Sequence, residues 1–247
     1  MATLYDGKMA EIYDIMYQSF IDYDLEFEFY YQLLKEYNCN KVLEIGAGTG
    51  NLTTRFVKEK IKYIGLDYSK DMISIAKQKS PKAEIINGDM RNFTLEKKIE
   101  ATIMTGRTSS YIISNDDMNS CLDSIAKNLT ENGIFMFDFI DANRYIPYIS
   151  QNKNIEHSVI IKDVKYSRIG NWKIADHENF TLNWTAQYYI EKNGIKNKIA
   201  DDFSTVRVFT LDEIKLFLFL HNFEILKIID KKTYAYDTYV VVAKKVG

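Results

Sequence analysis

The 247-residue sequence is poor in the residues that break a fold or staple it, with two prolines, eleven glycines and two cysteines. So few prolines and glycines leave no linker-like, repetitive or low-complexity stretch, and one α/β domain carrying an insertion is expected in this length. Cys39 and Cys121 are isolated, without Cys-x-x-Cys or His-Cys spacing, so neither a disulfide framework nor a metal site is expected. No run of 18 apolar residues is present, and no membrane span is read. The segment Met1-Ala2-Thr3-Leu4-Tyr5-Asp6 lacks a basic stretch followed by an apolar run, so no secretory signal is expected and the cytoplasm is the default location. Basic and acidic side chains number 32 and 34 and are interspersed, for a net charge of −2. Without a basic face, nucleic acid is not an expected partner.

What the sequence does carry is concentrated at Val42-Leu43-Glu44-Ile45-Gly46-Ala47-Gly48-Thr49-Gly50-Asn51. An apolar strand runs into a turn of three glycines, which bend the backbone and admit a ligand without a Cβ in the way. The spacing is G-x-G-x-G, and Asn51 stands where a dinucleotide fingerprint wants its last glycine, so a ligand without a pyrophosphate fits better than NAD. A second strand, Lys62-Tyr63-Ile64-Gly65-Leu66, ends in Asp67 about 20 residues on, where doubly wound sheets place a carboxylate for ribose hydroxyls. A third, Ala83-Glu84-Ile85-Ile86-Asn87, ends in Gly88-Asp89-Met90-Arg91.

These three strand ends resemble successive motifs of class I S-adenosylmethionine-dependent methyltransferases. The resemblance implies S-adenosylmethionine as cofactor and a Rossmann-like seven-stranded sheet. It further implies that Gly46, Gly48 and Gly50 line the methionine part of the site, with Glu44, Ala47, Thr49 and Thr105 as further cofactor-binding residues. Asp67 would hold the ribose diol, Tyr68 and Met72 would flank the adenine, and Asp89 with Met90 would read its edge. A narrower similarity, carried by Tyr13-Asp14, Tyr17, Asp22-Tyr23, Glu26 and Gly88-Asp89-Met90-Arg91-Asn92-Phe93, is to the N,N-dimethyltransferases of nucleotide-linked amino sugars. In that family a tyrosine-rich N-terminal helix closes over the cofactor, so Tyr5 and Tyr23 become acceptor-side candidates and Tyr13 a cofactor contact. Tyr111 matches the family's acceptor-side tyrosine or histidine. The family's Gly-Arg-Gly loop before the last strand is replaced by Thr233-Tyr234-Ala235-Tyr236.

Along the chain the pattern predicts helices over residues 22–37, 50–59, 70–79, 116–129 and 211–221. Strands are expected over 41–46, 62–67, 83–87, 101–104, 134–139, 224–230 and 239–243. Thr210-x-x-Glu213 is a capping box that opens the last helix. Residues 141–209 break the alternation: 157–166, 181–190 and 196–209 alternate apolar and polar positions, and Asn193-Gly194 joins two of them as a hairpin. The expected architecture is a core of residues 1–140 and 210–247, with 141–209 as an antiparallel β insertion capping the active site.

Methyl transfer from a sulfonium needs positioning and water exclusion rather than a protein nucleophile. The expected function is methylation of a small-molecule acceptor, at an amine nitrogen first. An O-directed enzyme, a peptide N-terminal methyltransferase and a non-catalytic cofactor-binding regulator are the alternatives, and a homodimer is left open. Arg107 and Arg207 are candidates for an anionic group of the substrate, Arg107 alternatively pairing with Asp138 or Asp141. For each of the three histidines a structural role is the first reading, with His157 and His177, in the insertion, within expected reach of the acceptor and His221 at the end of the closing helix.

Overall fold

Short apolar runs separated by amphipathic helices assemble into one twisted sheet. The computed structural model describes residues 5, 7–59, 61–152, 154–176 and 178–247. Helices α1 (Lys8–Phe20) and α2 (Tyr23–Glu36) precede β1 (Lys41–Ile45), the single turn α3 (Thr53–Phe56), β2 (Lys62–Asp67), α4 (Lys70–Lys79), β3 (Glu84–Asn87), β4 (Ile99–Met104), α5 (Asn115–Asn128) and β5 (Leu129–Phe139). Then come α6 (Ala142–Gln151) and four strands: β6 (Ile155–Ile161), β7 (Val164–Asp176), β8 (Thr181–Lys192) and β9 (Ile195–Arg207). The chain returns to the first sheet through α7 (Leu211–Leu220), β10 (Phe223–Lys231) and β11 (Thr238–Lys245).

The large sheet has the order β10-β11-β5-β4-β1-β2-β3. β1 pairs in parallel with both β2 and β4, so the chain order reverses between β1 and β4. Such a switch point opens a crevice at the carboxyl ends of the two strands. β11 runs antiparallel to β5 and β10. The inner strands are apolar on both faces because helices cover both. Val42 joins Tyr30, Leu34 and Phe56 on one side, while Leu43 and Ile45 join Phe135, Phe137 and Leu218 on the other. Each such side chain contributes roughly 1.5–3 kcal/mol by its burial.

The second sheet is antiparallel, in the order β6-β7-β8-β9. Its β8–β9 turn, Asn193-Gly194, has φ of 53° and 76°, as a two-residue hairpin requires. α1 lays Met9, Ile12 and Met16 against Trp184, Ala186 and Tyr188 of this sheet. Gly170 makes that packing possible, since a Cβ there would lie 1.9 Å from the Trp184 ring. Among the described residues no helix is long and apolar enough to cross a membrane.

Three expectations are corrected. The helix over 50–59 contracts to Thr53–Phe56, because the β-branched Thr53, Thr54 and Val57 are poor helix formers and three-residue turns bound it on either side. The run 157–166 is the end of one strand and the start of the next, turning at Lys162-Asp163 with φ of 48° and 64°, a turn without the usual Asn-Gly signature. Residues 142–151, expected in the β insertion, form α6, which buries Ala142, Tyr145 and Ile149 at helical spacing despite Pro147.

Candidate active site

The crevice between β1 and β4 widens into a cavity of about 1030 Å³ that extends beneath the second sheet. Its floor is the glycine turn. Gly46, Gly48 and Gly50 all have positive φ, of 76°, 55° and 77°. The Gly46 and Ala47 N–H groups donate to the Leu66 carbonyl at 2.8 and 3.1 Å, pinning the turn to β2. A Cβ at Gly46 would stand 2.4 Å from Thr108 Oγ1, and one at Gly50 2.8 Å from the Ala76 Cβ. At Gly48 the nearest atom would be 3.9 Å away, so this position opens onto the cavity. The Gly48 N–H donates to Asp67 Oδ2 at 2.7 Å, and the Ser69 N–H to Oδ1 at 2.8 Å. Burial raises the Asp67 pKa, and these backbone donors oppose the rise. The carboxylate therefore faces the cavity in a fixed orientation with lone pairs left for two hydroxyl donors.

Around this floor the cavity is lined by Tyr68, Met72, Asp89 and Met90 at the next strand ends and by Tyr5 and Tyr13 above. Asp89 is already engaged by the Arg91 guanidinium at 2.6 Å, which holds its carboxyl below the usual range. A glycine turn with an open position, a fixed acid and an apolar slot beside Met72 fit the nucleoside and amino-acid ends of S-adenosylmethionine.

Other cofactor candidates lie beneath or beside this lining. Glu44 is buried under the turn, accepts a hydrogen bond from the Tyr63 hydroxyl, and has its pKa raised to about 8 by burial. Thr105 uses its carbonyl to accept from Thr108 at 2.8 Å. Ala47, Thr49 and Gly50 shape the turn without lining the cavity. Thr49 also ties the turn to α1, its hydroxyl donating to Asp14 Oδ1 at 2.6 Å, where Asn51 at 3.2 Å and Lys79 at 2.5 Å join it. The Asn51 that departs from the dinucleotide pattern thus helps clamp α1 over the turn.

On the acceptor side, Tyr5 and Tyr111 line the cavity with hydroxyls hydrogen-bonded to each other and rings edge-on at 5.8 Å. The Tyr5 carbonyl accepts from Ser69 Oγ at 2.6 Å and the Gly7 N–H donates to Asp71 at 2.6 Å, so the segment before α1 is strapped to α4. Arg107, at φ 66°, gives its N–H to Asp138 at 2.8 Å and places its guanidinium over Tyr234 and Tyr236 at 4.9 and 4.7 Å. The guanidinium itself lines the cavity, and Asp141 pairs with Arg144.

Two substrate-side expectations are corrected. Tyr23 does not line the cavity; its ring packs among Tyr30, Phe56 and their neighbours, and its hydroxyl lies beside Asn51 and close to Tyr13. Arg207 also lies off the cavity, 98% buried, donating to Asn115 at 2.7 Å and Glu213 at 2.9 Å, where it fastens the capping box of α7 to β9. His157 lines the cavity, with burial and the nearby Arg168 lowering its pKa to about 4. His221 meets Asp123 and Asn119, and His177 lies outside the described residues. Both cysteines are buried, which pushes each thiol up to about 12. Among the described residues no acid, histidine and cysteine cluster could hold a metal.

Sequence reasoning missed Arg168, Trp172 and Asp202 in the second sheet, and Tyr234 and Tyr236 before β11, all of which line the cavity. Trp184 of β8 also lines the cavity, while Tyr188, on the same face of that strand, is buried without reaching it. A guanidinium on an otherwise apolar inward face of β7 was the one available signal for Arg168.

Residues 42–133 match the family described as methyltransferase domain. Among curated proteins, the chain is 27% identical over 138 residues to the dTDP-3-amino-3,4,6-trideoxy-alpha-D-glucopyranose N,N-dimethyltransferase of Streptomyces venezuelae, covering 55% of this chain and 58% of that protein. The chain thus spans little more than half the length of that relative. Among solved structures, an S-adenosylmethionine-dependent methyltransferase from Clostridium acetobutylicum superposes with a TM-score of 0.78 at 22% identity, over 97% of this chain and 98% of that one. The S-adenosylmethionine-bound amino pentose methyltransferase CalS10 from Micromonospora echinaspora gives 0.80 at 14% identity, with full coverage of both. At these identities the two structures speak to the fold. With the switch-point sheet, the glycine turn facing Asp67 and the domain match in agreement, the chain carries a class I S-adenosylmethionine-dependent methyltransferase domain.

Proposed function

We propose that this protein transfers a methyl group from S-adenosylmethionine to the amine nitrogen of a small molecule held beneath the second sheet. The observation that carries the reading is the continuity of one cavity from Gly46, Gly48 and Asp67, past the Tyr5 and Tyr111 hydroxyls, to Trp172, Trp184 and Asp202. When bound, the cofactor supplies an electrophilic methyl group on a sulfonium. The protein's part is to align an acceptor lone pair with that methyl group and keep water out. In this reading Asp67 and the Gly48 turn hold the nucleoside, Met72 and Tyr68 its base, and the strapped Tyr5 segment closes the mouth. Burial raises the pKa of Tyr111 to about 12, so its hydroxyl stays protonated near neutrality and orients the acceptor by hydrogen bonding. Asp202, buried at the cavity wall, is the carboxylate placed to meet an ammonium or to accept its proton.

Nitrogen is favoured over oxygen by the N,N-dimethyltransferase relative and by the presence of the Tyr5 and Tyr111 hydroxyls and the buried Asp202 carboxylate in one cavity. Residues 141–209 act in this reading as the acceptor cap on a core of 1–140 and 210–247. The test is incubation of the full chain with S-adenosylmethionine and a panel of amino and hydroxy acceptors, read by mass spectrometry. Gain of one or two methyl groups on nitrogen is expected. Methylation confined to hydroxyl acceptors would overturn the nitrogen assignment, and failure to bind S-adenosylhomocysteine in calorimetry would overturn the cofactor reading.

A further inference from the structure

Six arginines occur in the chain. Four are neutralised by carboxylates: Arg55 by Asp24, Arg91 by Asp89 and Asp117, Arg144 by Asp141 and Asp230, and Arg207 by Glu213. The other two, Arg107 and Arg168, form no salt bridge among the described residues, and both line the acceptor end of the cavity. We propose that Arg107 and Arg168 form an anion subsite and that the acceptor carries a phosphate or carboxylate group bound between them.

Arg168 is the more telling of the pair. Its side chain comes from the middle of β7 and is 7% exposed. Nη1 donates to the Tyr17 hydroxyl at 2.7 Å, Nη2 lies 3.1 Å from His157 Nδ1, and Nε is buried without a partner. A guanidinium only donates, so His157 Nδ1 accepts and the imidazole is neutral, a state that the lowered His157 pKa favours. Among the described residues the groups that Arg168 meets, Tyr17, His157 and Tyr188, are thus neutral, and its flanking rings, Trp184 at 5.3 Å and Tyr17 at 5.7 Å, offer a π-face and no countercharge. Arg107 is held likewise between Tyr234 and Tyr236. The two cations meet around one group: Tyr234, 4.9 Å from Arg107, lies 6.0 Å from the Tyr17 ring that Arg168 bonds. Burial raises the Tyr234 pKa, yet the charges of Arg107 and Arg168, with hydrogen bonds from Tyr17 and Arg107, outweigh it and the net shift is downward. A buried cation without a counter-ion is disfavoured unless a ligand brings the charge, and forked donors suit the oxygens of a phosphate or carboxylate. Asp202 also lines the cavity, where it borders Tyr111 and Tyr188. An acceptor bearing an amine and an anionic group would thus meet a carboxylate near the Tyr111 end and two guanidinium groups at the other.

As a statement about the acceptor the inference rests on the methyl-transfer reading; as a statement about anion binding it does not. The test titrates the full chain in a calorimeter with inorganic pyrophosphate and, separately, malonate, with and without saturating S-adenosylhomocysteine. Saturable binding of at least one anion is expected, weakened about tenfold or more in Arg168→Gln and in Arg107→Gln, the loss of a charge-assisted pair. S-adenosylhomocysteine affinity should stay unchanged in both variants. Pyrophosphate binding alone identifies a phosphate site and malonate binding alone a carboxylate site. If neither anion binds the wild-type chain, or if both variants retain full affinity, the proposal is overturned. Should Arg168→Gln not fold, the half-buried Arg107→Gln decides by the same criterion. Loss of S-adenosylhomocysteine binding with anion binding intact would count against the methyl-transfer reading and leave the subsite standing.

Discussion

At the end of the cavity built on β1 and β2, the fixed contacts come from the main chain: the Gly48 and Ser69 N–H groups hold Asp67, and the Leu66 carbonyl holds the turn. At the end beneath β7, β8 and β9 the lining consists of long side chains, Arg168, Trp172, Trp184 and Asp202, together with Arg107, Tyr234 and Tyr236 from the core loops. A backbone-built site has one geometry that few sequences satisfy, because glycine is required where φ is positive and a Cβ would collide. A side-chain-built site has many solutions, each set by which rings and charges face inward. The first kind suits a ligand that never changes, and the second suits one that differs from enzyme to enzyme.

The sharpest break in that comparison is Gly46→Val. The substitution combines a φ of 76° with a Cβ 2.4 Å from Thr108 Oγ1, so strain of ~1–3 kcal/mol adds to a displaced turn. S-adenosylhomocysteine binding should disappear in calorimetry, with a lowered melting temperature. Retained affinity would mean that the turn is not the cofactor floor.

Asp67→Ala follows. It leaves the fold intact and removes the acceptor of two ribose hydroxyls, so cofactor affinity should fall by ~1–3 kcal/mol. The KM for the acceptor should stay unchanged. A larger change in that KM than in cofactor affinity would erase the distinction between the two ends.

On the other side of the comparison stands Gly170→Ala. Its φ is unstrained, yet the added methyl would enter the Trp184 ring at 1.9 Å, and overpacking of this kind costs ~1–3 kcal/mol. With Trp184 on the cavity wall, the KM for the acceptor should rise while S-adenosylhomocysteine affinity holds. Parallel loss of both would show that the second sheet also shapes the cofactor end.

The same division explains what the sequence made legible. Strands β1, β2 and β4, the helix α4 and the capping box at Thr210 follow from local pattern, and so does the backbone-built floor at Gly46, Gly48 and Asp67. Arg207 was misread because a strand arginine looks alike whether it faces a ligand or, as here, Glu213 on the following helix. Tyr23 was misread for a related reason: Tyr5 and Tyr23 both border α1, and only the path of the chain sets the first in the cavity wall and the second against Asn51 and Tyr13, off the lining. Arg168 and Tyr234 are 66 residues apart in a chain that brings them to one wall, and no local window contains both. The Asp14, Thr49, Asn51 and Lys79 clamp is equally non-local, although Asn51 was visible as a departure from the dinucleotide pattern.

The smallest expected effect sits where the two ends touch. Tyr5 and Tyr111 come from the closing segment and from the turn after β4, and their hydroxyls bond to each other between the cofactor floor and the acceptor wall. Tyr5→Phe and Tyr111→Phe each remove one member of that pair and keep the ring packing, so each should lower kcat by the worth of a neutral hydrogen bond, ~0.5–1.5 kcal/mol. S-adenosylhomocysteine affinity should hardly move, since neither hydroxyl touches Asp67 or the glycine turn. If the pair acts as one unit, the double variant should lose little more than either single variant, because the first substitution already ends the bond. Additive losses would mean that each hydroxyl reaches the acceptor on its own, moving one of them wholly to the acceptor side. Full turnover in all three variants would remove both from the reaction and leave the acceptor's alignment to Arg107, Arg168 and the rings around them.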